Sequence, residues 1–169
     1  MLTLYLVRHG ETKENITRFM QGQRPGELTP AGIAQIEALA TSLSEMHFDA
    51  IISSDLKRAY DSAQILSRQR HLPVQTTPLL RERDWGDWTG RYIPELQGLP
   101  LPDNVEKIED LLRRAKSFLQ WVKNNYPDKT ILAVGHGIIN KAIQAVHYGK
   151  PTREIPKMSN AEFVILHLR

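Results

Sequence analysis

Two short apolar runs, each ending in a histidine with a glycine beside it, constrain the fold of this chain most. Residues 2–7 lead into Arg8 and His9, and residues 130–134 lead into His136, which has a glycine on each side. Continuous apolar runs of this length are typical of strands buried on both faces of a parallel sheet. Because ligands bind at the carboxyl edge of such a sheet, we expect both histidines to line one pocket.

Strand-like and helix-like segments alternate along the whole chain, which predicts a three-layer α/β/α sandwich with a mainly parallel central sheet. The predicted strands are residues 2–7, 48–52, 74–80, 130–134 and 161–168. Helices are predicted after an N-cap at Thr29, after a cap at residues 53–55, from residue 108 to 122, and from the second histidine to Gly149. At this length we expect one domain that spans residues 1–169.

Residues 11–27 and 81–102 are rich in polar residues, glycine or proline and are predicted to be long loops. Loops of this length in a compact fold usually carry function. We therefore expect them to surround the pocket and to determine which ligand it accepts.

The composition excludes several classes of function. The chain has 22 basic and 19 acidic residues, and this mild excess suits an anionic substrate but not a nucleic-acid partner. It has no cysteine, which excludes disulfides, thiol catalysis and thiolate metal sites. No apolar run approaches the roughly 20 residues of a membrane span, and no signal-peptide pattern is present, so no membrane association and a cytoplasmic location are expected. Nothing in the sequence indicates the oligomeric state.

The residue types beside the two histidines suit phosphoryl transfer. A phosphoryl group carries its charge on its outer oxygens, so catalysis depends on positioning and positive potential. Arg8 and Arg58 supply forked donors that stay protonated, and a neutral imidazole at His9 is a competent nucleophile near neutral pH. His136 would donate to the same phosphoryl group from the neighbouring strand end.

Four motifs in the right order resemble those of the histidine phosphatase superfamily, which includes the cofactor-dependent phosphoglycerate mutases. They are residues 8–32, 53–59, 80–86 and 135–137. The resemblance implies a phosphoglycerate mutase-like fold, a phosphohistidine intermediate on His9, and Glu82 as the general acid and then the base. No cofactor and no metal are expected, because arginines and histidines supply the positive field. Further candidates for substrate binding are Asn15, Gln21, Gly22, Trp85 and Gly137.

Each candidate also has a purely structural interpretation. Arg58 could pair with Asp55 or Asp61 on a helix surface, Glu82 could belong to a charged loop, and His136 could be a core or capping histidine. The order of the motifs favours a functional site over these interpretations.

The chain departs from the family's pattern at a few positions. Pro25 stands where an acidic residue is common, and of the Gly-Glu-Ser element that often opens the long helix only Glu106 survives. Arg114 matches that helix's usual arginine. The lysine of the mutases is Ile93 here, and the adjacent arginines 113 and 114 lie in no long insertion.

These observations favour a phosphatase that acts on a small phosphorylated metabolite in the cytosol. Two alternatives stay open, a phosphoglycerate mutase-like phosphotransferase and a non-catalytic module that binds a phosphorylated ligand. The altered positions at residues 25 and 105–107 motivate the second alternative.

Overall fold

The computed structural model describes residues 1–169 and contains five strands in one sheet. In chain order they are β1 (Leu2–Arg8), β2 (Ala50–Ser54), β3 (Val74–Thr77), β4 (Thr130–Gly135) and β5 (Phe163–Leu168). Their spatial order is β3-β2-β4-β1-β5, in which the first four strands run parallel and β5 pairs antiparallel with β1. The prediction of a mainly parallel α/β sheet is therefore confirmed.

Helices cover both faces of this sheet. They are α1 (Lys13–Thr17), α2 (Pro30–Ser42), α3 (Lys57–Ser67), α4 (Ile108–Asn125) and α5 (Gly137–Tyr148), with short 3₁₀ helices at Pro78–Leu80, Gly86–Trp88, Ile93–Leu96 and Thr152–Glu154. Helices α2 and α3 pack against each other on one face, and α4 and α5 pack together on the other. The three predicted layers are present. No helix is both long enough and apolar enough to cross a membrane.

Alternate residues of each central strand enter two separate cores. In β1, Leu4 and Leu6 pack in the cluster that contains Phe118 of α4, whereas Val7 packs in the cluster that contains Ile36 of α2. Burial on both faces explains why the strand sequences are apolar throughout instead of alternating. The buried polar side chains of the strands, Ser53, Ser54 and Thr77, all lie where a strand ends.

Two predicted strand boundaries are wrong. The strand predicted at residues 74–80 ends at Thr77, because Pro78 has no N–H to donate and begins a 3₁₀ helix. The last strand begins at Phe163 and not at 161, because Ala161 has a φ of 62° in the left-handed region, outside the extended range.

The segment around β2 also differs from the prediction. The strand lies two residues later than the predicted 48–52, and its last residues, Ser53 and Ser54, are fully buried. Helix α3 has Leu56 as its N-cap residue with no side-chain capping bond, so the predicted cap at residues 53–55 is wrong. The Ser54 hydroxyl instead accepts the Leu56 N–H at 3.2 Å and also contacts the pocket.

Helix α1 lies inside the loop predicted at residues 11–27. A reciprocal pair of bonds starts it: the Thr12 hydroxyl accepts the Asn15 N–H at 3.1 Å, and the Asn15 side chain accepts the Thr12 N–H at 3.0 Å. The predicted N-cap at Thr29 and the glycine exit at Gly149, with a φ of 64°, are both confirmed.

Candidate active site

The ends of β1 and β4 bring the two histidines together. The strands are neighbours, and their parallel register places Arg8 opposite Gly135, so His9 and His136 follow side by side. The two ring centroids are 5.1 Å apart, and the residues are 2% and 0% exposed. Both rings line one buried pocket at the carboxyl edge of the sheet.

The His9 ring is held by its own neighbour in the chain. Its Nδ1 lies 2.7 Å from the Gly10 carbonyl oxygen, which can only accept, so Nδ1 carries a proton and Nε2 keeps a free lone pair. Burial lowers the pKa of His9 well below its ordinary range, the charge of Arg58 lowers it further, and the Gly10 bond opposes both. The ring is therefore neutral at neutral pH.

The His136 ring has a different partner. Its Nε2 lies 2.8 Å from the Ser54 hydroxyl, and its Nδ1 is buried without any hydrogen-bond partner. Burial also lowers the pKa of His136 well below its ordinary range, and the charge of Arg58 lowers it further.

Arg58 is buried in the pocket and not paired on a surface. It is 1% exposed and donates from Nη2 to the Gly22 carbonyl at 2.8 Å and from Nη1 to the Arg24 carbonyl at 2.5 Å. The two aspartates near it in sequence have other partners, since Asp55 pairs with Arg81 and Asp61 pairs with Lys57. The surface ion pair considered from the sequence is thus excluded.

Burial affects both guanidinium groups. Burial lowers the pKa of Arg58 to about 10, although the negative charges of Glu82 and Glu14 oppose this shift. Burial also lowers the pKa of Arg8, and the charge of Glu82 opposes that shift as well. Both arginines stay charged at neutral pH. Arg8 also donates from Nη1 to the Met158 carbonyl at 2.7 Å, which fixes its position beside the histidines.

Three buried nitrogens of this cluster have no hydrogen-bond partner in the protein. They are Nε of Arg8, Nε of Arg58 and Nδ1 of His136. A buried donor left unpaired costs about 1–3 kcal/mol, and native folds rarely accept several at one place. Their clustering next to the free Nε2 of His9 indicates a site for an anion with several acceptor oxygens.

The Glu82 side chain is held at the N-terminus of α5, the helix that begins directly after His136. Its Oε2 accepts the Ile138 N–H and its Oε1 accepts the Ile139 N–H, both at 3.0 Å, and Oε1 also accepts the Arg83 N–H at 2.9 Å. These three bonds fix the carboxyl group near both pocket arginines. Glu82 lies in a loop with charged neighbours, as its structural interpretation expected, but these bonds hold its carboxylate at α5.

Arg114 of α4 holds the segment that carries Glu82. Its Nη1 donates to the carbonyls of Arg81 at 2.5 Å and Leu79 at 3.1 Å, and its Nη2 pairs with Glu106 at 2.8 Å. The same Glu106 carboxylate accepts the Asp84 N–H at 3.0 Å. Glu106, the one residue kept from the Gly-Glu-Ser element, thus joins α4 to the loop around Glu82.

The predicted substrate-binding residues lie around the cluster in different ways. The Asn15 Oδ1 accepts from the Asn160 side chain at 3.2 Å, and the Gln21 side-chain oxygen accepts the Thr12 hydroxyl at 3.0 Å. The side-chain NH₂ groups of both residues make no bond and remain free to donate. Gly22 contributes through its carbonyl, which Arg58 occupies.

Gly137 lies beside the pocket, whereas the Trp85 side chain contacts Trp88 and Arg83. A Cβ atom on Gly137 would lie 3.5 Å from Arg8 Nε, so the glycine keeps open the space beside this donor. Trp85 is half-buried, stacks on Trp88 with 6.2 Å between ring centroids, and has the Arg83 guanidinium 4.6 Å above its ring.

Sequence reasoning missed several residues that hold the cluster. The buried Ser62 accepts the Gly10 N–H at 3.1 Å and donates to the Arg58 carbonyl at 2.8 Å, and Asn160 donates to the His9 carbonyl at 3.2 Å. Only Ser62 had a signal, because it lies four residues after Arg58 and so on the same helix face.

No three histidine, aspartate or glutamate side chains lie close enough together to hold a metal ion. The positive potential of the pocket comes from its arginines.

Comparisons with known proteins point to one family. The model of the histidine phosphatase superfamily (branch 1) matches residues 4–169. The chain is 32% identical over 166 residues to the uncharacterized phosphatase PhoE of Bacillus subtilis, covering 95% of this chain and 86% of that protein. It is also 32% identical over 157 residues to the adenosylcobalamin/alpha-ribazole phosphatase of Escherichia coli, covering 84% and 77%.

One solved structure has the same fold over nearly the whole length of both chains. The mycobacterial glucosyl-3-phosphoglycerate phosphatase, in a complex with VO3, superimposes with a TM-score of 0.89 at 29% identity, covering 98% of this chain and 92% of that one.

Proposed function

This chain belongs to the histidine phosphatase superfamily and hydrolyses phosphate esters, and we propose that His9 is its nucleophile. The observation that carries the proposal is the group of three unpaired buried nitrogens, Arg8 Nε, Arg58 Nε and His136 Nδ1, beside the His9 ring. A phosphoryl group supplies several acceptor oxygens for the two guanidinium N–H groups and for His136 when its proton is on Nδ1.

In the first step, Nε2 of His9 attacks the phosphorus atom, and the bond between phosphorus and the ester oxygen breaks. The leaving alkoxide takes a proton from Glu82, and the phosphoryl group stays on the histidine as phosphohistidine. The neutral ring with its proton fixed on Nδ1 supports this step, because the attacking lone pair is already free.

In the second step, water attacks the phosphorus atom while the Glu82 carboxylate accepts one of its protons. The bond between phosphorus and Nε2 breaks, inorganic phosphate leaves, and the proton stays on Glu82 for the next cycle. Arg8, Arg58 and His136 hold the phosphoryl oxygens in both steps, with Asn15, Gln21 and the Gly137 N–H as further donors and Trp85 beside the leaving group. No metal takes part in either step.

The substrate class proposed is a small phosphorylated metabolite. The relatives named above include an adenosylcobalamin/alpha-ribazole phosphatase and a glucosyl-3-phosphoglycerate phosphatase, whose names refer to small metabolites. One domain over residues 1–169 and a cytoplasmic location stay predictions.

The mutase alternative finds little support in the geometry. Arg113 is exposed and pairs with Asp110 at 2.6 Å, and Arg114 is occupied by Glu106 and backbone carbonyls. The less exposed arginine of the pair, Arg114, is therefore already occupied by partners within the protein. Incubation with a phosphoglycerate, with both products followed, tests this choice: isomer formed faster than free phosphate would overturn it.

Trapping the intermediate tests the proposal itself. The protein is mixed with p-nitrophenyl phosphate, quenched in base and digested for mass spectrometry. We expect an acid-labile, base-stable phosphoryl group on the peptide that contains His9, together with steady release of phosphate in the presence of a chelator. Tight phosphate binding without phosphohistidine or turnover would instead support a non-catalytic binding module.

Glu82→Gln tests the acid role separately. We expect hydrolysis of an alkyl phosphate, whose leaving group needs a proton, to fall by about 10²–10⁴-fold, and hydrolysis of p-nitrophenyl phosphate to fall much less. Comparison of kcat for the two esters measures the difference. Equal losses would show that Glu82 does not protonate the leaving group.

A further inference from the structure

The guanidinium of Arg8 has a single hydrogen-bond partner in the protein. Its Nη1 donates to the Met158 carbonyl at 2.7 Å, its Nε is buried without a partner, and it forms no ion pair. The guanidinium of Arg58, by contrast, donates to three backbone carbonyls. The direction in which the Arg8 side chain points therefore depends on where Met158 lies.

Met158 is fixed by its side chain and not by its backbone. It lies in the segment between the 3₁₀ helix at Thr152–Glu154 and β5, and it takes part in no backbone–backbone hydrogen bond. The residue is buried, and its Sδ lies 3.7 Å from Asn140 Nδ2 and 3.6 Å from Gln144 Nε2. Since the two amide nitrogens only donate, the sulfur accepts both N–H groups.

The two amides lie one turn apart on α5 and are both buried. Asn140 Nδ2 also donates to the Val7 carbonyl at 3.0 Å, and Gln144 Nε2 also donates to the Asn140 carbonyl at 3.2 Å. Each side-chain NH₂ group thus has two acceptors for its two N–H bonds. Because Val7 directly precedes Arg8, the Asn140 amide contacts both the peptide group before Arg8 and the residue that receives its guanidinium.

Asparagine at position 140 carries a cost that an apolar residue of similar size would not. Its Oδ1 is buried without a hydrogen-bond partner. A Cβ atom on Gly135, which lies opposite Arg8 in the sheet, would be only 2.3 Å from this oxygen, so only a glycine there leaves room for the amide. The amide is therefore better explained by the two groups that its N–H bonds hold than by packing.

We propose that Asn140 and Gln144 are positioning residues of the phosphatase. Both hold the Met158 side chain, and so the carbonyl that orients Arg8, while Asn140 also fixes the peptide group before Arg8. The amides act on the phosphoryl group only through that guanidinium. This inference rests on the proposed function, in which Arg8 binds the phosphoryl oxygens.

Asn140→Leu removes both N–H bonds and keeps a side chain of similar size. We expect kcat/KM for p-nitrophenyl phosphate to fall by about 10–10²-fold, because a displacement of about 1 Å in a pocket group costs about that much. Inhibition by orthovanadate, which resembles the transferring phosphoryl group, should weaken by a similar factor. Gln144→Leu and Met158→Leu each leave the Val7 bond in place and should cost about tenfold or less.

Ile143→Val is the matched control. Ile143 lies between the two amides in α5, is fully buried in the hydrophobic core and has no group that donates a hydrogen bond. The loss of one methyl group should lower the urea midpoint of unfolding and leave kcat/KM within about twofold. If the activity of the amide variants followed the urea midpoint on the same line as this control, the positioning role would be wrong.

A double-mutant cycle with Arg8→Ala shows whether the amides act through Arg8. In the Arg8→Ala background, Asn140→Leu and Met158→Leu should each change kcat/KM by less than about twofold, because the guanidinium that they position is absent. Equal losses with and without Arg8 would overturn the inference. If Asn140→Leu does not fold, the cycle with Met158→Leu decides the question by the same criterion.

The outcomes separate this inference from the proposed function. Full activity of Asn140→Leu, Gln144→Leu and Met158→Leu would overturn the positioning role and leave His9 as the proposed nucleophile. An unmodified protein that neither hydrolyses p-nitrophenyl phosphate nor forms phosphohistidine would overturn the proposed function and this inference with it.

Discussion

The two pocket histidines occupy equivalent places at the ends of neighbouring strands, yet they are held by different kinds of atom. His9 faces the carbonyl of Gly10, which only accepts a hydrogen bond, whereas His136 faces the hydroxyl of Ser54, which donates or accepts. His9 is therefore locked in one tautomer with Nε2 free. His136 can place its proton on either nitrogen and so can donate from Nδ1 to a bound anion. The partner atom, and not the position in the fold, separates the two roles.

The environments of the two rings are otherwise alike. Both histidines are almost fully buried, and for both, burial is the main cause of a lowered pKa, with Arg58 second. The comparison thus predicts that variants of the two residues differ in catalysis and agree in their contribution to pH-dependent stability.

His9→Ala is expected to have the largest effect. Removing the nucleophile should lower kcat by about 10⁴-fold or more, because no other group in the pocket replaces it. Binding of inorganic phosphate, measured by calorimetry, should stay within about tenfold, because Arg8, Arg58 and His136 remain. Persistent turnover with phosphohistidine formed at His136 would reverse the two roles.

His136→Ala should have the next largest effect. The loss of one donor to the phosphoryl oxygens should lower kcat by about 10²–10³-fold. In a single-turnover experiment, phosphohistidine on His9 should still form, only more slowly. An activity as low as that of His9→Ala, without any intermediate, would contradict a supporting role.

Stability should depend on pH through both histidines. Each has a folded pKa below the ordinary value of 6.5, so between the two values the unfolded chain binds more protons than the folded one. The free energy of unfolding should be constant above about pH 7 and should fall below pH 6.5, by up to about 1.4 kcal/mol per pH unit for each histidine.

Urea denaturation of the unmodified protein and of His9→Ala and His136→Ala, between pH 5 and 8, measures this dependence. Each variant should lose about half of the slope that the two residues contribute. A slope that only one variant changes would show that the two rings differ in protonation as well as in their partners.

Ser54→Ala should have the smallest effect, and it tests most directly whether the partner atom separates the roles of His9 and His136. It removes the partner of His136 and leaves the Gly10 bond of His9 unchanged. We expect kcat to fall by about tenfold, the cost of about one hydrogen bond. In the double variant, His136→Ala should lower kcat by a smaller factor than it does in the unmodified protein, because the two residues act together. Full additivity would mean that the hydroxyl does not orient the ring.

Much of the phosphoryl pocket could be predicted from the amino-acid sequence alone. The apolar runs before His9 and His136 indicated buried parallel strands, and parallel strands present their carboxyl ends at one edge. Glu82 was different, because its segment has no regular pattern and only the resemblance to a family pointed to it. Its place at the start of α5 depends on contacts with Ile138, Ile139 and Arg114, which are far from it in sequence.

The sequence by itself determined the alternation of strands and helices, the edge at which the histidines lie and the type of chemistry, because hydrophobic periodicity and residue type are local properties. Only the tertiary structure decided which atoms hold each ring and that Ser54 and Ser62 belong to the pocket. Those outcomes depend on which distant segments become neighbours, and a buried polar group takes its partner from whatever packing brings within reach.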